Sequence, residues 1–212
     1  MNKLIKLNIL FVSIIILFGC NQVSKNKEDR YLKIHKSALT IDTHNDTPLN
    51  MDDPDFDMGQ RHDAKEDYSC VDFPRMKEGG LDGAFFAVFL GQRNRDEAGY
   101  KNAKNKALEI FRSIHTTVEE NSDVAEIALE ADDLKKIEGK GKRAVYIGVE
   151  NGYPINRNLA NIDTFYNLGA RYITLCHTRN NDICDSSTDP DGPEHNGLSD
   201  FGKDVVKKMN EK

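Results

Sequence analysis

Apolar and polar positions alternate along this chain in blocks that suggest strands separated by helices. An almost uninterrupted apolar run covers residues 83–90, which is typical of a strand buried on both faces of a sheet. Similar runs predict strands at 143–149 and 171–175, and a shorter one predicts a strand at 40–44. Residues 124–129 indicate a short extra strand. We therefore expect four principal strands and one minor strand.

Between the strands, apolar residues recur at helical spacing. In segment 98–121 they fall on one face while Lys and Glu fill the other, which predicts a surface helix. Further helices are predicted at 28–39, 132–137, 159–168 and 199–208. Asp132 and Ser199 are the expected N-caps of the second and fourth of these. Segment 48–72 is rich in Asp, Pro and Gly and is expected to be a loop too polar to enter the core.

The order of these elements predicts an α/β fold. Strands that alternate with helices form a parallel sheet, either open or closed into a barrel. Three of the four principal strands end in ionisable residues: His44 and Asp46 follow the first, Glu150 the third and His177 the fourth. Barrel enzymes carry their active sites at this C-terminal edge of the strands. These four side chains are therefore the candidate site.

The N-terminus has the pattern of an export signal. Lys3 and Lys6 precede the almost wholly apolar segment 7–18, which is too short to remain as a membrane span. Gly19 and Cys20 then lead into a polar stretch, and the whole pattern resembles a bacterial lipoprotein signal in which the Cys is lipidated. The alternative is a cleavable signal followed by an ordinary buried Cys. We expect a protein held on a membrane of the cell envelope, outside the cytoplasm, through Cys20.

This interpretation divides the chain into three parts. Residues 1–19 are the expected signal peptide, 20–29 a polar tether and 30–212 the folded domain. With 29 basic and 35 acidic residues the net charge is −6, which argues against a nucleic-acid partner. The sequence leaves a homo-oligomer open.

Three further cysteines follow the expected lipidation site, at Cys70, Cys176 and Cys184. One disulfide with one free thiol is an available arrangement, but spacing alone does not determine the pairing. Cys176, His177 and Cys184 also suggest a zinc knuckle. That interpretation lacks a second closely spaced pair of ligands, so we do not favour it.

The short motif His44-Asn45-Asp46 has the chemistry of a metal site. Residues two apart on an extended backbone point to the same side, so the imidazole and the carboxylate can reach one cation. Zn²⁺ accepts both ligand types, and a carboxylate such as Glu150 can bridge to a second ion. Simpler interpretations stay open: a hydrogen-bonded pair for His44 and Asp46, a turn at Glu150 and a core histidine at His177.

Several longer segments, taken together, resemble one known family. Residues 41–46, 72–80, 147–152 and 168–178 occur in the order found in the membrane (renal-type) dipeptidase family, and residues 197–206 also look like that family. The resemblance extends from about Asp29 to Asn210.

The resemblance implies a (β/α) barrel of the metal-dependent hydrolase type, with two zinc ions, that cleaves dipeptides. By motif position, His44 and Asp46 ligate the first zinc and Glu150 bridges both ions. The resemblance also implies that His177 contacts the substrate or its tetrahedral intermediate, and that Asp42 orients the metal motif without binding an ion itself.

The chain also departs from the family pattern. The family's two further His ligands and a late Asp come from strands beyond the helix that ends here near Asn210. The remaining histidines (His35, His62, His115 and His195) do not lie in matching segments. We therefore expect about the first half of the barrel, and weak or no turnover from a 212-residue species. Two alternatives stay open: a non-catalytic surface lipoprotein that binds a partner, and another amidohydrolase such as a lactonase or phosphotriesterase relative.

Overall fold

The computed structural model describes residues 30–65 and 69–212, in two units that divide between Leu39 and Thr40. In the first unit, residues 30–37 are helical, and Tyr31 and Ile34 of the predicted apolar face are 65% and 55% exposed. The predicted signal, tether and lipidation site at Cys20 lie outside the described residues. Within the described part, no helix has the length and apolar character needed to cross a membrane.

The second unit is built on a parallel sheet of five strands. They are β1 (Ile41–Asn45), β2 (Gly83–Phe89), β3 (Ala125–Ile127), β4 (Arg143–Glu150) and β5 (Ala170–Ile173). β2 lies between β1 and β4. The other edge of β4 pairs with both β3 and β5, at different residues. There β3 pairs with residues 143–145, while β5 pairs with residues 147–149. The α/β fold, the parallel sheet and the short extra strand are thereby confirmed.

In the second unit, four helices connect the strands and a fifth follows β5. They are α1 (Phe73–Gly79), α2 (Glu97–Glu120), α3 (Asp133–Glu138), α4 (Ala160–Asn167) and α5 (Asp200–Asn210), with short 3₁₀ turns at Thr47–Asn50 and Tyr153–Ile155. The helices α2 to α5 match predicted segments. The sequence analysis missed α1, although its signals are present: the Asp72 side chain accepts a hydrogen bond from the Arg75 amide at 2.7 Å, and Gly80 ends the helix at φ 72°.

The predicted caps divide into one that is confirmed and one that is wrong. Ser199 caps α5, since its hydroxyl accepts a hydrogen bond from the Gly202 amide at 2.9 Å. Asp132 makes no capping hydrogen bond to α3. The neighbouring Asp133 carboxylate instead accepts from the amides of Leu129 and Glu130, at 3.0 and 2.9 Å, and so ties the preceding turn.

The expectation that segment 48–72 stays out of the core is wrong at two residues, Met58 and Pro48. Met58 is only 1% exposed and belongs to the main apolar cluster, and Pro48 is buried as well. The Met58 carbonyl also accepts a hydrogen bond from the amide of Phe73. A single long apolar side chain has no periodicity, so the composition of the segment concealed this anchor.

The two central strands β2 and β4 present opposite faces to different surroundings. One face packs into the main core with α2 and α4, where Phe111 and Phe165 stack at 5.7 Å. Its strand residues are Ala84, Phe86, Val88, Val145, Ile147 and Val149. On the other face, Phe85 and Tyr146 meet Ile137 of α3. Side chains alternate along a strand, so Gly148 and Glu150 also belong to this second face.

A nearly buried ion pair joins the N-terminal ends of the sheet. Asp82 Oδ1 lies 3.0 Å from Arg143 Nη1, and Asp82 Oδ2 accepts a hydrogen bond from the Thr40 amide at 2.9 Å. Arg143 also donates to the Leu81 carbonyl at 3.1 Å. One carboxylate thus connects the starts of β1, β2 and β4.

We expect Asp82→Ala to destabilise the protein by about 3–5 kcal/mol, because it leaves the Arg143 guanidinium buried without its partner. The control is Glu78→Ala, which removes an exposed ion pair with Arg61 and should cost about 1 kcal/mol or less. Urea unfolding of both variants measures the difference. Equal losses would contradict a structural role for the Asp82 pair.

Candidate metal centre

Three of the predicted site residues meet at the C-terminal edge of the sheet. His44 Nε2 lies 3.5 Å from Asp46 Oδ1 and 3.2 Å from Glu150 Oε2. One ligand atom from each residue lies within 4.8 Å of the other two. His44 belongs to β1 and Glu150 ends β4, so the parallel strand ends bring together donors more than a hundred residues apart in sequence.

The fourth predicted residue, His177, reaches the same carboxylate from the opposite side. Its Nε2 lies 3.2 Å from Glu150 Oε1, and its ring contacts Phe89 edge-on at 5.0 Å between centroids. The His177 side chain is 38% exposed, which does not match a histidine satisfied within the core. The Glu150 carboxylate therefore lies between two imidazoles.

The Asp42 carboxylate hydrogen bonds to the backbone and side chain of the predicted metal motif. The Asp42 carboxylate accepts a hydrogen bond from the His44 amide at 3.1 Å and one from Asn45 Nδ2 at 3.5 Å. Asn45 in turn accepts from the Thr47 amide at 2.9 Å, which shapes the turn after β1. These contacts are of the kind expected for a residue that orients the motif.

The sequence analysis missed Tyr172, the side chain in contact with the second nitrogen of His44. Tyr172 Oη lies 2.9 Å from His44 Nδ1. Burial raises the pKa of Tyr172 to about 12, and the nearby carboxylates of Glu150, Asp46 and Asp42 add to the shift. The hydroxyl is therefore a neutral phenol at ordinary pH. In the sequence, only the alternation of side chains along β5 indicates which face of the sheet Tyr172 lies on. Every Tyr in a strand has such an alternation, so the pattern does not single out Tyr172.

The donor atoms are of the types that zinc binds, and the two distances from His44 agree with zinc coordination. Zinc binds imidazole nitrogen and carboxylate oxygen at about 2.0–2.2 Å, so two ligands of a tetrahedral ion lie about 3.3–3.6 Å apart. The distances from His44 Nε2 to the two carboxylates, 3.2 and 3.5 Å, agree with that spacing. Three protein ligands that leave a fourth position open are typical of catalytic zinc.

The zinc knuckle interpretation finds no support in the described residues. Among residues 30–65 and 69–212, the group of at least three possible ligands is His44, Asp46 and Glu150. Cys176 hydrogen bonds to the Asp185 carbonyl at 3.3 Å, and Cys184 is buried in the core. Cys176 and Cys184 form no disulfide with each other.

The family is decided by a match along most of the chain. A family model described as membrane dipeptidase (peptidase family M19) matches residues 28–212. The chain belongs to the membrane dipeptidase family. The expected resemblance is thereby confirmed, and the segments on which it rests include those that carry the candidate metal centre.

Two curated relatives of this membrane dipeptidase family member are fungal proteins. Dipeptidase verJ of Clonostachys rogersoniana is 31% identical over 193 residues, which cover 84% of this chain and 48% of that protein. Dipeptidase tcpJ of Claviceps purpurea is 30% identical over 161 residues, which cover 74% of this chain and 38% of that protein. The chain thus spans less than half the length of these relatives.

Solved structures show the same fold. The probable dipeptidase PvdM from Pseudomonas aeruginosa matches with a TM-score of 0.74 and 23% identity, over 86% of this chain and 47% of that one. A metallo peptidase from Rhodobacter sphaeroides, liganded with a phosphinate mimic of the dipeptide L-Ala-D-Ala, matches with a TM-score of 0.63 and 19% identity. That match covers 82% of this chain and 56% of the other. At these identities the likeness establishes the fold.

We expect the Tyr172 hydroxyl of the chelator-treated chain to ionise at a pKa of about 12, above its ordinary value of 10.0. A raised pKa in the folded state means that Tyr172 contributes stability below pH 10 and loses it as the pH rises towards 12. The tyrosinate absorbance of the wild-type chain minus that of Tyr172→Phe isolates this group. A difference signal centred near pH 10 would contradict the buried environment.

Proposed function

We propose that this chain forms the zinc-binding part of a metallodipeptidase that hydrolyses dipeptides. The observation that carries the proposal is the convergence of His44, Asp46 and Glu150 at the C-terminal edge of the sheet in a member of the membrane dipeptidase family. His44 and Asp46 hold the first ion in this proposal. Glu150 would hold both that ion and a second one, as the family resemblance implies.

Each residue has a separate task in this proposal. Bound zinc supplies a Lewis acid for the scissile carbonyl and a source of hydroxide at neutral pH. His177, partly exposed beside Glu150, donates a hydrogen bond to the carbonyl oxygen of the dipeptide as negative charge develops there. Asp42 holds the backbone of the metal motif in place.

The charges around the site favour a cation. The carboxylates of Asp46 and Glu150 have only imidazoles as ion-pair partners within the described residues. Two carboxylates held this close repel each other unless a positive charge lies between them. A divalent ion relieves that repulsion, so ion binding should be strong.

We expect Glu150→Gln to lower zinc affinity more than a hundredfold, because loss of an outer-shell partner alone costs about 10–100-fold. The Gln side chain keeps the size of Glu but removes the negative charge and one ligand oxygen. Competition with a chromogenic chelator measures the affinity. Any zinc-dependent cleavage of a dipeptide that the wild-type chain shows should disappear with it.

The matched control is Glu126→Gln, which removes the partly exposed carboxylate of a β3 residue that pairs with Lys140. Zinc affinity should stay at the wild-type value in this variant. Wild-type zinc affinity in Glu150→Gln would refute the metal site. Turnover of a lactone or phosphotriester in place of a dipeptide would favour another amidohydrolase.

We also propose that the protein is anchored in the cell envelope by a lipid on Cys20. The charged start, the apolar segment 7–18 and the polar residues after Cys20 support this proposal. Residues 1–19 would then be removed as the signal and residues 20–29 would tether the domain.

Replacement of Cys20 by Ser should remove the site of acylation and release the protein from the membrane fraction of the producing bacterium. Immunoblots of the membrane and soluble fractions measure this change, and Cys70→Ser serves as the control. Retention of Cys20→Ser in the membrane fraction would exclude the lipid anchor.

A further inference from the structure

We propose that Tyr172 is a positioning residue that holds the imidazole of His44 with Nε2 directed at the metal ligands Asp46 and Glu150. This inference rests on the proposed function, because it assigns a task relative to the same metal. It concerns a side chain that is not itself a ligand.

The contact that carries the inference is the 2.9 Å distance between Tyr172 Oη and His44 Nδ1. An imidazole has two nitrogens, and a hydrogen bond at one of them selects which nitrogen binds a metal. When Nδ1–H donates to the neutral phenol oxygen of Tyr172, Nε2 keeps its lone pair. That nitrogen is the atom that lies 3.5 and 3.2 Å from the two carboxylates.

Tyr172 is itself fixed by packing. Its neighbour across the β4–β5 pairing is Gly148, and a Cβ at that position would lie 2.0 Å from the Tyr172 ring. The ring therefore occupies the space that the missing side chain leaves on β4. Phe85 of β2 contacts the same ring at 5.2 Å between centroids. A side chain held on two sides can hold its own partner in turn.

The contact also crosses the sheet. The path from β1 to β5 runs through β2 and β4, so three strand spacings of about 4.8 Å separate them if the sheet is flat. A hydrogen bond between side chains of β1 and β5 therefore requires that the sheet curves around this face. Tyr172 thus links the position of β5 to the orientation of a ligand on β1.

The test compares Tyr172→Phe with wild type in the full chain. The variant keeps the ring and loses the hydroxyl, so we expect zinc affinity to fall about 10–100-fold, as for other outer-shell partners. The control is Tyr146→Phe, since Tyr146 also stacks on Phe85 but hydrogen bonds to the Glu130 carbonyl. This variant should retain wild-type zinc affinity. Thermal unfolding of both variants verifies that each is folded.

A spectroscopic readout separates positioning from a general loss of structure. In the zinc-loaded wild-type chain, the Nδ1 proton of His44 should give a downfield resonance that exchanges slowly with water. Tyr172→Phe should lose this resonance to rapid exchange, while Tyr146→Phe should keep it. The absence of the protected proton from the wild-type chain would overturn the inference even if Tyr172→Phe did not fold.

The outcomes distinguish this inference from the proposed function. If His44→Ala binds zinc as tightly as wild type, the metal site itself is wrong. If His44→Ala loses zinc but Tyr172→Phe keeps both wild-type affinity and the protected proton, the metal site stands and the positioning role of Tyr172 is refuted. A fall in affinity together with loss of the proton in Tyr172→Phe supports the inference.

Discussion

The alternation of side chains along β4 is the constraint on which the candidate site depends. Val145, Ile147 and Val149 are fully buried against the helices, so the residues between them must face the other way. A slip of one residue would turn Glu150 towards the main apolar core and place Val149 where the Tyr172 ring packs against Gly148, which the packing of both faces opposes. The hydrophobic face thus fixes where the central carboxylate of the site lies.

The second face of the sheet shows how packing and chemistry are joined. Gly148 leaves a gap on β4, the ring of Tyr172 fills it, and the Tyr172 hydroxyl reaches His44. The absence of a side chain at Gly148 therefore permits the contact between Tyr172 and His44. The interior of the curved sheet becomes a support for the ligand rather than a purely apolar core.

The carboxylates at the two ends of the sheet differ in their ion-pair partners. At the N-terminal end, the Asp82 carboxylate is nearly buried and paired with Arg143. At the C-terminal end, Asp46 and Glu150 have imidazoles alone as ion-pair partners within the described residues. The first arrangement satisfies its charge internally and is structural, whereas the second keeps an unbalanced charge at an open edge. This difference favours an external cation at one end only.

Local patterns in the sequence were sufficient for the strands, for every described helix except α1 and for the family, because periodicity and motifs are properties of neighbouring residues. The motifs also named His44, Asp46, Glu150 and His177, whose roles stay predictions, as does the lipid at Cys20. Only the tertiary structure decided the burial of Met58 and the partner of His44 Nδ1. Tyr172 is 128 residues from His44, and their contact depends on sheet curvature, which no local pattern encodes.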